Sequence, residues 1–418
     1  MRICLLSYRG YQYSGGQGIY IRHLSQSLQK MGHEVDVVAG PPYPDLVEGI
    51  NLIKLPSLDL YRFPEYRRYF INPLKLNTWP NFREWIGECS GFFTEPATFG
   101  MRAHALFRSN GFSKKYDIVH DNQCITQGIL NIRRLGIPMV TTIHHPITID
   151  RDLALKASQT FVRSLGIRRW YAFVDTQIKV ARHLTHFITD SQNSLREIVA
   201  GFHLETDRFK VIYCGVDHDV FKPAPDAERL NNSILVINSG DTPLKGLKFL
   251  LEAAAELSRT RDIELVIVGR PMKDGYTEGL VKQLRMGDRV KYTGRIDTAE
   301  LVRRYSTATM LVVPSIYEGF GLPAAEAMAC GTPVISTTAG ALPEVVGEAG
   351  ILVPPSDTRA IAEAIAVFLD DADKRRKCSA LGRERALNLF NWDNTAKETA
   401  DYYREAIKSQ GRVMAGMK

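Results

Sequence analysis

At 418 residues, with 44% hydrophobic and 24% charged residues and a mean hydropathy of -0.16, the chain has the length of two ordinary domains and the balance of a globular protein, which excludes a disordered tail or a fibre. No stretch supplies the ~18 uncharged apolar residues of a membrane span. The net charge of +7 sits in the first half, where residues 1–222 hold 27 Lys and Arg against 20 Asp and Glu while residues 223–418 hold 26 of each, and this points to an anionic partner for the N-terminal half.

In chain order, a strand over Arg2 to Ser7 leads into a glycine-rich loop, Ser14-Gly15-Gly16-Gln17-Gly18. An amphipathic helix follows from about Ile19 to Met31, then a stop at Gly32 and a strand over Val35 to Val38. This is a βαβ unit. Continuous apolar runs at Asp117 to His120 and Pro138 to Ile143 add strands covered on both faces, so a parallel sheet with crossover helices is expected. Arg151 to Leu184 is helical in composition, and Phe187 to Asp190 and Lys210 to Tyr213 read as two more buried strands. The turn-rich stretch from Cys214 to Pro225 marks a boundary, giving expected domains at residues 1–221 and 222–390.

A second α/β alternation then begins. Strands are expected at Ser233 to Asn238, Glu264 to Val268, Val290 to Thr293, Met310 to Val313 and Pro333 to Ser336, with helices at Leu247 to Ser258, Gly279 to Arg285, Ala299 to Thr307 and Pro323 to Cys330. Two doubly wound parallel-sheet domains follow, with ligand expected at a cleft facing the carboxyl ends of the strands.

The six cysteines show no CxxC pair and no regular spacing, which fits a reducing, cytosolic setting. With a basic first half, a peripheral place on an anionic membrane face is compatible with that setting. Neither HExxH nor a Cys/His zinc pattern occurs, so no metal site is expected. A run of five basic residues, a zinc finger and an aromatic RNA-binding strand are all absent, so nucleic acid is not an expected partner.

The most informative stretch is PSIYEGFGLPAAEAMACG, Pro314 to Gly331. Pro323 suits the first turn of a helix and Gly331 its stop, so Glu318 falls in the strand-to-helix loop and Glu326 in the first helical turn. Eight residues apart, the two carboxylates suit gripping two ends of a long ligand better than flanking one bond. Between them Gly319 and Gly321 let backbone N–H groups approach an anion at the positive end of a helix dipole. A diphosphate with a hydroxyl-rich group on either side fits this pattern.

This Glu-x7-Glu block resembles the signature of the retaining glycosyltransferase family 4, and the resemblance runs through Gly15 to Gly18, Thr142-Ile143-His144, Gly215-Val216-Asp217, Lys245-Gly246, Gly294, and Trp392 ahead of a helix bearing Tyr402 and Tyr403. It implies a GT-B fold of two Rossmann-like domains, a nucleotide-sugar donor as co-substrate with no further cofactor, and a last segment, from about residue 391 to 418, that packs back on the N-terminal domain. By the same resemblance, Glu326 would bind ribose hydroxyls and Glu318 the hydroxyls of the transferred sugar. Lys245 would neutralise the diphosphate, with Gly319, Phe320, Gly321 and Leu322 around its oxygens. Gly16 and Gly18 would close on the phosphate and acceptor side, and His144 would face the donor sugar. The family pattern carries an Arg where Gly240 stands here; either phosphate stabilisation is weaker, or Arg270 at the end of the next strand substitutes. Cys214, where the family commonly has Asn, is read as a change in hinge packing.

The expected reaction is a metal-independent, retaining transfer of a hexose-type unit to a hydroxyl acceptor, a lipid or glycan. Rival readings are a related epimerase or phosphorylase and a sugar-nucleotide-binding scaffold without activity. A dinucleotide oxidoreductase is disfavoured because no GxGxxG follows either first strand. The segment Tyr61 to Phe70, continuing through Trp79, Trp85, Phe92, Phe93 and Phe99, mixes aromatics with arginines. It suits either a membrane or acceptor surface or a small core of its own.

Overall fold

The computed structural model describes residues 1–10, 16–109, 111–156, 158, 160–238, 243–270 and 275–416. It resolves into two units, the first made of Met1–Asp190, Ser194–Ile212 and Thr395–Lys418 and the second of Ser191–Asn193 and Tyr213–Asn394.

The first unit is built on seven strands, β1 (Arg2–Ser7), β2 (Glu34–Ala39), β3 (Asn51–Lys54), β4 (Ile118–Asn122), β5 (Met139–Thr142), β6 (Phe187–Thr189) and β7 (Phe209–Val211). They pair in parallel in the order β3-β2-β1-β4-β5-β6-β7. The central strands are buried because helices cover both faces: Ile3, Leu5, Leu6, Ile118, Val119 and Val140 are fully buried, while the carboxyl ends of β4 and β5 turn polar and bury His120, Asp121, Asn122, Thr141 and Thr142. At the edges this logic weakens. β7 was expected as a buried strand, but it is partly exposed along its length, having a neighbour on one side only. β3 alternates poorly and carries no apolar run, and the sequence reading missed it.

The second unit has six strands, β8 (Ser233–Ile237), β9 (Glu264–Val268), β10 (Val290–Gly294), β11 (Met310–Val313), β12 (Val334–Thr337) and β13 (Gly350–Val353), all parallel, in the order β10-β9-β8-β11-β12-β13. Its core is aliphatic, with Ile234, Leu250, Leu251, Leu265, Met310, Ile335, Ile361, Ile365 and Phe368 wholly buried. Aspartate N-caps fix where several of its helices begin: Asp297, Asp357 and Asp371 each accept a hydrogen bond from the backbone N–H three residues on, at 2.8, 2.9 and 2.8 Å.

In both sheets the strand order reverses beside the first strand of the unit, between β1 and β4 and between β8 and β11. Loops after those strands part in opposite directions and leave a crevice at the carboxyl edge.

The last helix, Trp392–Gly416, belongs to the first unit from Thr395 onward. Tyr403 is fully buried there and its hydroxyl lies 2.5 Å from His120 Nδ1, while the Tyr402 hydroxyl donates to the Arg208 carbonyl at 3.0 Å. All six cysteines are free thiols. Among the described residues, no helix is long and apolar enough to cross a membrane.

Candidate active site

The crevice of the second sheet gathers most of the residues singled out in the sequence. Lys245 follows β8, Arg270 follows β9, and Glu318 to Leu322 follow β11, so three neighbouring strands deliver them to one edge. The β8 and β11 loops are stitched together by the backbone: the Ile316 N–H donates to the Leu244 carbonyl at 2.8 Å. Gly246 makes this approach possible. Its φ is +63°, and a Cβ there would lie 1.9 Å from the Pro314 carbonyl oxygen, so only glycine fits.

Drawn together in this way, Lys245 Nζ donates to both Glu318 carboxylate oxygens, at 3.1 and 2.8 Å, and the Ser315 hydroxyl donates to Glu318 Oε2 at 3.1 Å. The Glu318 backbone is fixed from behind by the Ala341 N–H, which donates to its carbonyl at 3.0 Å. Gly340, at φ +57°, lies so close to that carbonyl that a Cβ would meet it at 2.1 Å. The carboxylate is thus aimed by contacts on three sides.

Gly321, at φ +99°, caps the helix Leu322–Ala329, and Pro323 occupies its first turn as expected. The N–H of Leu322 opens the helix and has no intrahelical acceptor. Phe320 departs from the expectation: its side chain is buried, with ring centres 6.2 Å from Tyr213 and 5.5 Å from Phe390, so only its backbone faces the loop. Glu326 also departs from it, lying past the first turn, which contains no acidic residue. That removes helix-dipole stabilisation as its role, since the dipole acts within the first turn. It instead accepts a hydrogen bond from the Tyr305 hydroxyl at 3.0 Å. Burial pushes the Glu326 carboxyl up to about 7, against the lowering effect of that bond. Tyr305 is fully buried on another helix, Thr298–Thr307, and nothing in the sequence marked it.

Arg270 is exposed beside Gly294, whose Cβ position would lie 3.6 Å from its Nε. Gly240, the position of the missing family arginine, lies outside the described residues, as do Ser14 and Gly15.

In the first unit, Gly16 and Gly18 are part of the helix Gly16–Lys30 and not of a loop, and Gly18 is buried. His144 follows β5, with Nδ1 2.7 Å from Asp190 Oδ2 and Nε2 2.8 Å from Asn122 Oδ1. The backbone N–H of His144 donates to Gln123 Oε1 at 2.9 Å, and Tyr20 meets the imidazole ring edge-on at 4.8 Å. Both ring nitrogens are therefore engaged by the protein. The β4 loop that supplies these partners is unusual, holding Gln123 and Ile125 at positive φ, +55° and +48°. The buried Asp121 carboxylate sustains it by accepting the N–H groups of Cys124 and Ile125 at 3.3 and 3.0 Å. Such strain persists where surroundings over-determine it, often at functional sites. His145 is held by Asp150 at 3.0 Å.

The aromatic segment divides. Tyr61, Phe93, Trp170 and Phe173 cluster, with Phe93 stacked on Trp170 at 5.2 Å and the guanidinium groups of Arg9 and Arg68 4.9 and 4.6 Å from the Tyr61 ring centre. Phe70, Leu74 and Trp79 are instead exposed, at 84, 81 and 63%, as are Phe161 and Val162 on a helix, Phe161–Trp170, that buries no residue.

Two family descriptions match the chain: Glycosyltransferase Family 4 over residues 14–220 and Glycosyl transferases group 1 over residues 222–385. An MMP alpha-(1->4)-mannosyltransferase of Mycolicibacterium hassiacum is 41% identical over 411 residues, covering 97% of this chain and 98% of its own. The chain belongs to glycosyltransferase family 4. A D-inositol 3-phosphate glycosyltransferase of Xylanimonas cellulosilytica is 29% identical over 425 residues, covering 94% of this chain and 93% of its own. Among solved structures, the sucrose-phosphate synthase of Thermosynechococcus elongatus superposes with a TM-score of 0.74 at 27% identity, over 98% of this chain and 100% of that one. The family 4 chain described here is accordingly a glycosyltransferase with the GT-B fold, two Rossmann-like domains as the sequence led us to expect.

Proposed function

We propose that the enzyme transfers a hexose from a nucleoside diphosphate to a hydroxyl acceptor with retention of anomeric configuration. The observation that carries this reading is the paired Lys245 and Glu318 at the amino end of the Leu322–Ala329 helix, with Glu326 one turn further in. A diphosphate at that helix end would draw on Lys245, the Leu322 N–H and the helix dipole. Glu318 would then be released to accept sugar hydroxyls, and Glu326 would accept those of the ribose. Arg270 is exposed on the neighbouring loop and is the cation we assign to the second phosphate. Gly16 and Gly18, at the helix start beside the first sheet's strand reversal, would serve the phosphate and acceptor side.

In the transfer, the bond from the anomeric carbon to the diphosphate oxygen breaks while the acceptor oxygen bonds to the same carbon from the same face. The acceptor's proton passes to the departing phosphate oxygen, so the step needs no carboxylate nucleophile. Charge growing on the diphosphate would be met by Lys245, Arg270 and backbone dipoles in place of a metal ion. His144, its ring oriented by Asp190 and Asn122, would support the transfer step more than donor binding. The relative's mannosyl activity makes a mannosyl donor the first to test. The acceptor would be a glycan or a lipid-linked sugar; the exposed Phe70, Leu74, Trp79 and Phe161, set among arginines, support a peripheral approach to an anionic membrane.

The test is a thermal-shift screen against UDP, GDP, ADP and their mannosyl and glucosyl conjugates, followed by diphosphate release with and without EDTA. One nucleotide should stabilise the protein, and chelation should leave the rate unchanged. Unaltered donor affinity in Glu326→Ala would refute the site assignment.

A further inference from the structure

The second unit carries a cavity of about 200 Å³ at the edge of its sheet opposite to the Lys245 loop. Leu230 and Asn231 ahead of β8, Thr309 ahead of β11 and Pro333 ahead of β12 form one wall. The other is the start of the helix Ala372–Leu389, with Arg375, Arg376 and Ser379. None of these residues was singled out from the sequence, and none belongs to the proposed transfer site.

The charge in this cavity is unbalanced. Arg229 donates from Nη1 to the Ala308 carbonyl and from Nη2 to the Gly331 carbonyl, both at 2.8 Å. Arg375 donates from Nη1 to the carbonyls of Phe368 and Leu369, the second at 3.0 Å. Every one of these acceptors is neutral. Arg376 has a carboxylate partner in Asp373, whereas among the described residues neither Arg229 nor Arg375 forms an ion pair. Burial, and then the charge of Arg375, hold the Arg229 guanidinium below its usual range. Each guanidinium has five N–H donors in a planar fork, so N–H groups remain on both after the carbonyls are served.

We infer that this cavity binds a phosphate-class anion, as free phosphate or as the phosphate of a small sugar phosphate. Guanidinium groups recognise phosphate oxygens in paired hydrogen bonds. A cavity of about 200 Å³ is smaller than the ~300–1,000 Å³ typical of drug-sized ligands, and so suits a single phosphorylated sugar better than a nucleotide. Binding there would tie the amino ends of β8, β11 and β12 to the helix Ala372–Leu389, and would stabilise the second unit from the side remote from transfer.

The experiment measures the melting temperature of the full chain in inorganic phosphate and, separately, in a hexose 1-phosphate, with chloride at matched ionic strength. At ten times the dissociation constant the expected rise is about 3 °C, in the wild type and equally in Lys245→Ala. The rise should vanish in Arg376→Glu and in Ala372→Glu. The second variant sets a carboxylate at the exposed first position of the helix, where it is tolerated and should itself raise the melting temperature. A larger response to the sugar phosphate assigns that ligand, and equal responses assign free phosphate. The inference fails if the wild type does not respond, or if the response survives both cavity variants and disappears in Lys245→Ala, which would place the anion at the transfer site.

Discussion

Lys245 and Glu318 neutralise each other at 2.8 Å, so in the proposed mechanism an arriving diphosphate takes over a lysine that is already oriented. Replacing it with alanine removes the compensating cation where charge develops, and kcat/KM should fall about 10²- to 10³-fold, with circular dichroism unchanged. Steady-state kinetics on Lys245→Ala checks this. Glu326 adds a pH dependence whose sign can be worked out. Its folded value of about 7 lies above the ordinary 4.5, so the folded protein holds this proton more tightly than the unfolded chain does. The ionised carboxylate therefore costs stability, beginning as pH rises past about 4.5 and complete above about 7. Glu326→Gln should melt at a higher temperature than the wild type at pH 8 and at the same temperature near pH 4. Donor binding runs the other way, because ribose hydroxyls need the ionised acceptor. Donor KM of the wild type should rise as pH falls below about 7, while Glu326→Gln should show a raised KM without that trend.

At the scale of elements, the contact of the β8 and β11 loops depends on Gly246. In Gly246→Ala a Cβ would meet the Pro314 carbonyl at 1.9 Å on a backbone at φ +63°, so the two loops must part. We expect a loss of at least ~2 kcal/mol by denaturant unfolding, with a fall in kcat/KM approaching that of Lys245→Ala. This geometry also explains what could be read in the sequence. Lys245-Gly246 and the run from Glu318 to Leu322 each occupy a single strand-to-helix junction, so local spacing was enough to locate them, whereas Glu326 lies one turn deeper in the helix than its spacing suggested. Tyr305 reaches Glu326 from a different helix, and no local pattern could announce that. Gly16 and Gly18 mislead for a related reason: glycine propensity favours a loop, yet Gly18 is packed within a helix, where tertiary contact overrides propensity. The strand β3 lies at a sheet edge, is short and only partly buried, and so lacks the continuous apolar signal that identified its neighbours; β13, at the edge of the other sheet, does carry an apolar run, Ile351-Leu352-Val353, but one too short to stand out from a loop. The aromatics of 61–99 were ambiguous because their partners Arg9, Trp170 and Phe173 come from distant positions.

At the scale of the whole molecule, the chain leaves its first unit after Ile212 and returns to it at Thr395, so the first fold is completed by a segment that follows the whole of the second. The return is anchored on a buried polar chain. Tyr403 meets His120 Nδ1 at 2.5 Å, His120 Nε2 lies 2.6 Å from Thr142 Oγ1, and Tyr20 reaches the same oxygen at 3.3 Å. Burial, and then the proximity of His144, lower His120 from 6.5 to about 3. The folded protein therefore refuses a proton that the unfolded chain accepts. The stability held by a neutral His120 is complete above about pH 6.5 and is lost progressively as pH falls toward 3, at up to ~1.4 kcal/mol per pH unit. Acid should thus loosen the terminal helix together with the strand it packs against. Hydrogen exchange followed from pH 7 to pH 4.5 should show protection falling in parallel over residues 118–122 and 395–411, and Tyr403→Phe should lower it in both segments already at pH 7, by about 1 kcal/mol. If only the terminal helix lost protection while β4 kept its own, the helix would be a cover laid on a finished sheet, and the first unit could fold without it.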